Sequence, residues 1–334
     1  MTIWDKQLIQ PTAFLLLGIV GLFLGSQLAI RGFENIAQRF RVSHLFIGLT
    51  VVAIGTSLPE IGVSVVGAID ILAGLDMFAV SGIVVGNTIG SFLNQLTIIM
   101  GLVGLTGLMS ITKRELKREG IMLVLSIILF SLVALDLKIT PLEGVVITLA
   151  YLMYFIYLVK QEAPFKSSSK VEEEKPKIRL VKELLIILAG MGVLLVASEF
   201  VVEGSVHLAE ILSIPTSVTG LLIVGLGTGL PELTIAIAAL RRGSAGIAVG
   251  DMIGSNICDI LLSLGAGTMI SGFAVEPVLL LFDTPFMFLV AFLVIGLFLR
   301  NMRLDRKEAL VLVLVYVSYV ILKLMFFMGS YMET

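Results

Sequence analysis

The sequence IGTSLPE at residues 54–60 interrupts an apolar run, and GLGTGLPE at residues 225–232 repeats the interruption. Both copies place glycine, hydroxyl side chains, proline and glutamate where the neighbouring residues are leucine, isoleucine and valine. Proline breaks the hydrogen bonding of a helix, and an ionised carboxylate at the centre of a bilayer costs about 2.5–3.5 kcal/mol. A feature this unfavourable that occurs twice indicates where the function lies.

The composition places the chain in a membrane. Of its 334 residues 57% are hydrophobic and 14% are charged, and the mean hydropathy is +1.07. Soluble domains carry about 25% charged residues. The first apolar run is followed by nine more and by no small-residue cleavage site, so we interpret it as a span rather than a signal peptide. The dispersed acidic residues do not suggest a nucleic-acid partner, and the single Cys258 excludes an intrachain disulfide.

We predict an all-α integral membrane protein with ten transmembrane helices, some of them broken. The predicted helices cover residues 10–30, 44–69, 79–107, 119–136, 141–160, 181–202, 215–240, 245–272, 282–300 and 307–328. The odd-numbered connections then hold 20 of the 23 Lys and Arg residues. By the positive-inside rule these connections are cytoplasmic, and both chain termini are external to the cell membrane.

The chain divides into two halves joined by a polar segment. Residues 160–179, KQEAPFKSSSKVEEEKPKIR, have no apolar period and predict a flexible linker, with a regulatory docking segment as the alternative. We therefore predict an N-terminal five-helix repeat over 1–160, a cytoplasmic linker over 161–180 and a C-terminal five-helix repeat over 181–334.

The two halves align with each other. A shift of 172 residues matches GLTVVAIGTSLPE (48–60) with GLLIVGLGTGLPE (220–232), and VGNTIGSFLNQ (85–95) then matches VGDMIGSNICD (249–259). The matched residues are Gly, Thr, Pro, Glu and Ser, which chance similarity between apolar segments does not supply. Because each half has an odd number of helices, the copies cross the membrane in opposite directions, as the inverted repeats of secondary transporters do.

The first motif of each half offers oxygen ligands. Pro59 and Pro231 each deprive a backbone carbonyl of its helical donor. The side chains beside these breaks are the hydroxyls of Thr56, Ser57 and Thr228 and the carboxylates of Glu60 and Glu232. A site built from oxygens without nitrogen or sulfur suits a hard cation such as Ca²⁺ or Na⁺.

The second motif of each half adds further polar side chains at a spacing that puts them on one helical face. They are Asn87, Ser91 and Gln95 in the first half, and Asp251, Ser255 and Asp259 in the second. Two of them have another interpretation, because Asn87 could cap or bridge helices and Asp251 could lie near the external face in water. Glu60, Glu232 and Asp259 would repel one another at mid-membrane. A bound divalent ion or several monovalent ions would remove that repulsion, and the empty site is expected to hold at least one proton.

The paired motifs GTSLPE…GNTIGS and GTGLPE…GDMIGSN resemble the alpha repeats of the Ca²⁺/cation antiporter superfamily, and most of all those of the prokaryotic Na⁺/Ca²⁺ exchangers. The resemblance covers essentially the whole chain. It implies that the first and sixth helices slide across the core to alternate access. It also implies Ca²⁺ binding by Glu60, Glu232, Thr56 and Thr228, and flanking Na⁺ sites that use Ser57, Ser91, Ser255 and the carbonyls around Ala53 and Gly225.

Three residues depart from the pattern of that family. Gly229 stands where a serine is usual, Gln95 where Asn or Asp is usual, and Asp251 where Asn is usual. From these departures, Ca²⁺ handling carries over from the family better than the identity or number of the coupling ions. The expected transported ions are Ca²⁺ and Na⁺, with H⁺ or K⁺ as the alternative coupling ion and a passive cation channel as a further alternative. No cofactor is expected, and an enzyme is disfavoured because no His-Glu-x-x-His pattern or nucleophile constellation accompanies the two glutamates.

Overall fold

A computed structural model describes residues 3–168, 180–211, 227 and 229–332 of the chain. These ranges are almost entirely helical. The helices are α1 (Ile3–Phe40), α2 (His44–Ile47), α3 (Ala53–Thr56), α4 (Leu58–Leu72), α5 (Met77–Asn94), α6 (Met100–Thr106), α7 (Lys113–Val133), α8 (Pro141–Ser168), α9 (Leu180–Ile211), α10 (Leu230–Arg241), α11 (Ala245–Cys258), α12 (Leu264–Ser271), α13 (Thr284–Asn301) and α14 (Arg306–Met332). π-helical turns lie at Gly48–Val52, Gln95–Ile99, Asp259–Ser263 and Leu279–Asp283.

Helices α3 and α4 are the two parts of one broken helix. The segments His44–Thr56 and Leu58–Leu72 are bent by 44° at Ser57, which has φ −77° and ψ 4°. Gly229, just before α10, has nearly the same backbone shape, with φ −90° and ψ 8°. Each break is followed by the proline of its motif, which fits the first turn of a helix because it needs no amide donor there. The predicted break in the first motif is therefore confirmed. In the second motif the structure shows that α10 begins at Leu230, and the residues at 212–226 lie outside the described ranges.

The apolar helices are long enough for a membrane. Six segments qualify by length and hydropathy, and the bent pair would make a seventh. The six are Ile9–Phe40, Met77–Thr106, Pro141–Glu162, Leu180–Val201, Ala245–Ser271 and Leu279–Asn301. Helices α7 and α14 have 21 and 27 residues but begin with charged turns. Among the described residues the count is therefore six or seven, and ten spans stays a prediction.

Helices α1 and α8 are longer than predicted. Helix α1 covers Ile3–Phe40 where 10–30 was expected, and α8 continues to Ser168 where 160 was the expected end. Hydropathy marks the part of a helix that hydrocarbon surrounds, whereas the helix itself can continue into polar residues. The eight residues after 160 therefore extend α8 into the stretch interpreted as the linker.

Two short strand pairs join the halves, although the sequence predicts no strand. Strand β1 (Met109–Ser110) pairs antiparallel with β4 (Arg303–Leu304), and β2 (Lys138–Ile139) pairs with β3 (Phe273–Ala274). The shift of 164 residues that aligns residue 85 with residue 249 also aligns β1 with β3. Each pair thus takes one strand from each half of the chain.

The segment from α2 to α3 packs backbone to backbone on α11. A Cβ atom on Gly48 would lie 2.5 Å from the carbonyl oxygen of Ile247 and 2.9 Å from the Cα of Gly250. A Cβ on Gly254 would lie 2.8 Å from the Cα of Leu49. Glycine is required at this crossing because a side chain would have to displace backbone atoms. The close approach brings the first motif of one half against the second motif of the other.

Two buried carboxylates outside the motifs are bonded to phenols. The hydroxyl of Tyr154 donates to Glu119, and the hydroxyl of Tyr319 donates to Asp283 over 2.6 Å. Lys323 also donates to Asp283, over 3.0 Å. The 164-residue shift aligns Glu119 with Asp283, so the two carboxylates occupy corresponding places in the two halves. Lys323 is one of the three Lys and Arg residues outside the odd-numbered connections, and its contact with Asp283 gives it a buried anionic partner.

Candidate cation-binding site

Glu60 lies in the first turn of α4, directly after the break. Its side chain is 2% exposed, and one carboxylate oxygen accepts a hydrogen bond of 3.4 Å from the hydroxyl of Ser91 on α5. Its other oxygen has no partner among the described residues. A helix N-terminus favours negative charge, so the break itself stabilises a carboxylate at this position.

Glu232 occupies the same place in the second half. It lies in the first turn of α10 and is fully buried, and neither of its carboxylate oxygens has a hydrogen-bond partner in the described part of the chain. The carboxylate of Glu60 repels its charge, as do those of Asp251 and Asp259. The two motif glutamates are therefore close enough to repel each other.

Asp251 lies inside the protein and not in water. It is fully buried on α11, and one of its carboxylate oxygens accepts a hydrogen bond of 3.1 Å from Thr56 and one of 3.3 Å from Ser255. The hydroxyls of Thr56 and Ser255 are 3.1 Å apart. The interpretation of Asp251 as a solvated residue near the external face is wrong, because the glycine-lined crossing of α2–α3 with α11 encloses it.

Asp259 and Gln95 face each other at the starts of two π-helical turns. The amide nitrogen of Gln95 donates to Asp259 over 3.2 Å, and both side chains are buried. One oxygen of each is left without a partner within the described ranges. A π-helical turn widens a helix locally and often occurs at functional sites. Gln95 thus satisfies one oxygen of a carboxylate in the opposite half.

Five predicted ligands remain, and the structure describes three of them. The hydroxyl of Ser57 is buried and unpartnered among the described residues, whereas the carbonyl of Ala53 accepts from the amide of Ser57 over 3.0 Å. Asn87 is half-buried and has no hydrogen bond to the other site residues described here. Thr228 and Gly225 lie outside the described residues.

The site collects buried carboxylates whose oxygens are not all satisfied. Buried charges are normally paired or bind metal ions, since leaving them unpaired is costly. No three His, Cys, Asp or Glu side chains in the described ranges are arranged as a metal site. The buried polar atoms collected here are hydroxyl, amide and carboxylate oxygens, and Ca²⁺ accepts a mixed oxygen environment of this kind.

A polar network at one end of α1 was not foreseen from the sequence. Arg242 donates to Glu34 over 3.3 Å and to Gln27 over 2.9 Å, and Ser244 donates to Glu34 over 2.5 Å. Asn35 donates to Glu183 over 2.9 Å. These contacts connect α1 with α9 and with the connection between α10 and α11. The sequence holds no local signal for them, because the partners are about 150 to 210 residues apart.

Comparisons with a family model and with known proteins agree on the family of this chain. The model of the family described as sodium/calcium exchanger protein matches residues 11–160 and 182–325. The sodium/calcium exchanger MaX1 of Methanosarcina acetivorans is 29% identical over 345 residues, covering 92% of this chain and 96% of that protein. An uncharacterized membrane protein of Methanocaldococcus jannaschii is 30% identical, covering 93% of this chain and 97% of its own length.

Solved structures of the sodium-calcium exchanger NCX_Mj have the same fold. The structure soaked with 2.5 mM Na⁺ and 0.1 mM Ca²⁺ has a TM-score of 0.77 and 29% identity, covering 93% of this chain and 98% of that one. The structure soaked without Na⁺ and Ca²⁺ has a TM-score of 0.78. These findings confirm the resemblance inferred from the paired motifs. The chain belongs to the sodium/calcium exchanger family, a family of membrane transporters and not of enzymes.

Proposed function

We propose that this protein is a secondary active antiporter that expels Ca²⁺ from the cytoplasm while Na⁺ enters, by alternating access. The observation that carries the proposal is the set of buried carboxylate oxygens without a partner among the described residues. Within the candidate site they belong to Glu60, Glu232, Asp251 and Asp259, and one further oxygen of this kind, on Asp283, lies outside the site. Such oxygens are stabilised when a cation binds them, and the family to which the chain belongs exchanges cations of this kind.

We assign Ca²⁺ to the centre of the site. Glu60 and Glu232 would supply the charge, and Thr56 and Thr228 would supply hydroxyls. The flanking Na⁺ sites would use Ser57, Ser91 and Ser255 with the carbonyls around Ala53 and Gly225, next to Gln95, Asp251 and Asp259. Because the two ions would share oxygens, they could not be fully bound together, and this competition would couple their movements.

We further propose ten spans in two inverted repeats, with both termini external and the linker cytoplasmic. The strand pairs support this topology. Strands β1 and β4 lie in connections that the charge distribution makes cytoplasmic, and β2 and β3 lie in connections that it makes external. Since β1 and β3 are equivalent in the repeat, a two-fold axis in the membrane plane relates the pairs.

The experiment is Ca²⁺ flux in liposomes reconstituted with the full chain. Uptake of ⁴⁵Ca²⁺ is measured under an outward gradient of Na⁺, K⁺ or H⁺ in turn, at a clamped membrane potential. We expect saturable uptake with the Na⁺ gradient and little uptake with the other two. Equal uptake in all three conditions, or uptake that persists without a counter-ion, would refute Na⁺/Ca²⁺ antiport.

A Ca²⁺ exchanger coupled to H⁺ or K⁺ is the second candidate. Gly229 favours it, because this buried residue offers no hydroxyl just before α10, whereas Ser57 offers one at the break in the first half. The Na⁺ site on that side would have one ligand fewer. Uptake that follows the pH or K⁺ gradient in the same liposomes, and ignores the Na⁺ gradient, would select this candidate.

A further inference from the structure

A groove between α7 and α13 runs along the outer surface of the protein. It has a volume of about 410 Å³. Its walls are apolar, and Ile121, Leu125, Phe292 and Leu299 in these walls are each about half exposed. In a membrane protein such a surface faces lipid chains, so the groove is positioned to hold an acyl chain.

Two lysines stand at one end of this groove. Lys113 and Lys117, in the first turns of α7, line it and are exposed. Neither side chain has an ion pair or hydrogen bond in the described part of the chain, whereas the neighbouring Arg114 and Arg118 are bonded to a glutamine and a glutamate. The groove therefore combines an apolar wall with two available positive charges.

The lysines lie at the membrane surface that we propose to be cytoplasmic. Lys113 follows strand β1 by three residues, and β1 is paired with β4. From Lys113 to Leu125 the helix rises roughly 18 Å, which is close to half of a ~30 Å hydrocarbon core. A lipid with its phosphate at the lysines would thus have its chain alongside the apolar wall in one leaflet.

The equivalent place in the other half lacks these charges. The 164-residue shift puts Pro277 and Leu281 at the positions of Lys113 and Lys117. The internal repeat therefore does not explain the lysines, and the basic end of the groove exists on one side of the membrane. That side is where anionic lipids attract basic residues near the ends of transmembrane helices.

We infer that the groove between α7 and α13 binds an anionic phospholipid of the cytoplasmic leaflet. The phosphate is held by Lys113 and Lys117, and an acyl chain lies on the apolar wall. The inference depends on the proposed sidedness of the chain. It does not depend on the cation site or on exchange activity.

The test is native mass spectrometry of the purified full chain. Retention of phosphatidylglycerol is compared with retention of phosphatidylcholine that has the same acyl chains, and with retention of glycerol phosphate. Wild-type protein is expected to retain phosphatidylglycerol better than phosphatidylcholine. In the double variant K113Q/K117Q, the ratio of retained phosphatidylglycerol to retained phosphatidylcholine is expected to fall ~10- to 30-fold. The matched control K182Q/K307Q, with two exposed lysines outside the groove, is expected to keep it.

A second variant tests the apolar wall. Val124→Phe fills the groove without removing a charge and is expected to weaken retention of both phospholipids. Thermal unfolding of each variant identifies any that is misfolded. The inference is overturned if wild-type protein retains both phospholipids equally, if K113Q/K117Q keeps its preference, or if glycerol phosphate binds as well as the intact lipid. None of these results depends on Ca²⁺ transport, so the failure of the proposed exchange activity would be recognised separately.

Discussion

Thr56 on α3 donates a hydrogen bond of 3.1 Å to Asp251 on α11, from 195 residues away in the sequence. The bond joins the first motif of one half to the second motif of the other, at a place where both side chains are fully buried. It gives a carboxylate inside the helical core one of its two donors, the other being Ser255.

Replacing Thr56 by valine should destabilise the ion-free protein. The buried carboxylate of Asp251 would lose a donor while the volume of the side chain stays nearly the same, at an expected cost of about 1–3 kcal/mol in the free energy of unfolding. Thr56→Ser keeps the hydroxyl and is the matched control. Thermal unfolding in detergent without Na⁺ or Ca²⁺ measures both variants, and equal melting temperatures for Val and Ser would contradict the expectation.

Glu60→Gln and Glu232→Gln should abolish Ca²⁺ transport and also stabilise the empty protein. Each change removes a buried charge that repels its neighbours, so the melting temperature without ions should rise. Loss of a charged ligand should weaken Ca²⁺ binding by at least ~100-fold.

Two measurements check this pair of effects, namely ⁴⁵Ca²⁺ flux and the shift of the melting temperature on adding Ca²⁺. Glu276→Gln, which alters an exposed carboxylate outside the site, is the control and should behave as wild type. Normal flux in both site variants would remove Glu60 and Glu232 from the proposed mechanism.

Gly48→Ala should impair folding. The added Cβ would meet the carbonyl oxygen of Ile247 at 2.5 Å, and backbone cannot move aside as a side chain can. Overpacking of this kind costs about 1–3 kcal/mol or more. Gly296→Ala on α13 is the control, because its Cβ meets no atom within 4 Å and alanine favours a helix. The yield of monodisperse protein and its melting temperature should fall for the first variant only.

Arg242 should hold α1 against the connection that follows α10. The ion pair with Glu34 is partly exposed, so it contributes at most about 1 kcal/mol to stability. A contribution of that size leaves the melting temperature nearly unchanged, yet it can shift the population of two conformations by about fivefold. Arg242→Glu should therefore change the rate at which a water-soluble maleimide reacts with a cysteine introduced at the exposed Gln38 of α1.

A variant in which the two charges are exchanged is the control for this contact. Arg242→Glu combined with Glu34→Arg restores opposite charges and should return the labelling rate toward the wild-type value. The native Cys258 is buried, so it should contribute little to the signal. Identical rates in the single and double variants would show that the ion pair does not bias the position of α1.

The sequence predicted the break before Pro59 and named the buried polar side chains of the candidate site, because their signal is local. A proline followed by a glutamate inside an apolar run, as at Pro59 and Glu60, is improbable without a function. The same pair occurs again at Pro231 and Glu232, and two copies are less probable by chance than one. Periodicity then placed Ser255 and Asp259 on one face of a helix. These inferences need no knowledge of which helices touch.

The environment of Asp251 and the network around Glu34 could not be predicted in that way. Both depend on how distant helices pack, and the decisive residue at the first crossing is Gly48, whose role becomes visible when its neighbour is known. The buried Asp283 is a different case. Comparing it with Glu119 across the repeat would have drawn attention to it, and to Lys323 as its partner.

The strand pairs imply that the two halves assemble through their own contacts. β1 pairs with β4 and β2 with β3, so each half is hydrogen-bonded to the other at both ends of the helical core. The molecule can be regarded as a dimer whose two subunits are fused into one chain. Because one segment joins them, the two halves are always synthesised in equal amounts. Halves expressed as separate polypeptides should then still find each other.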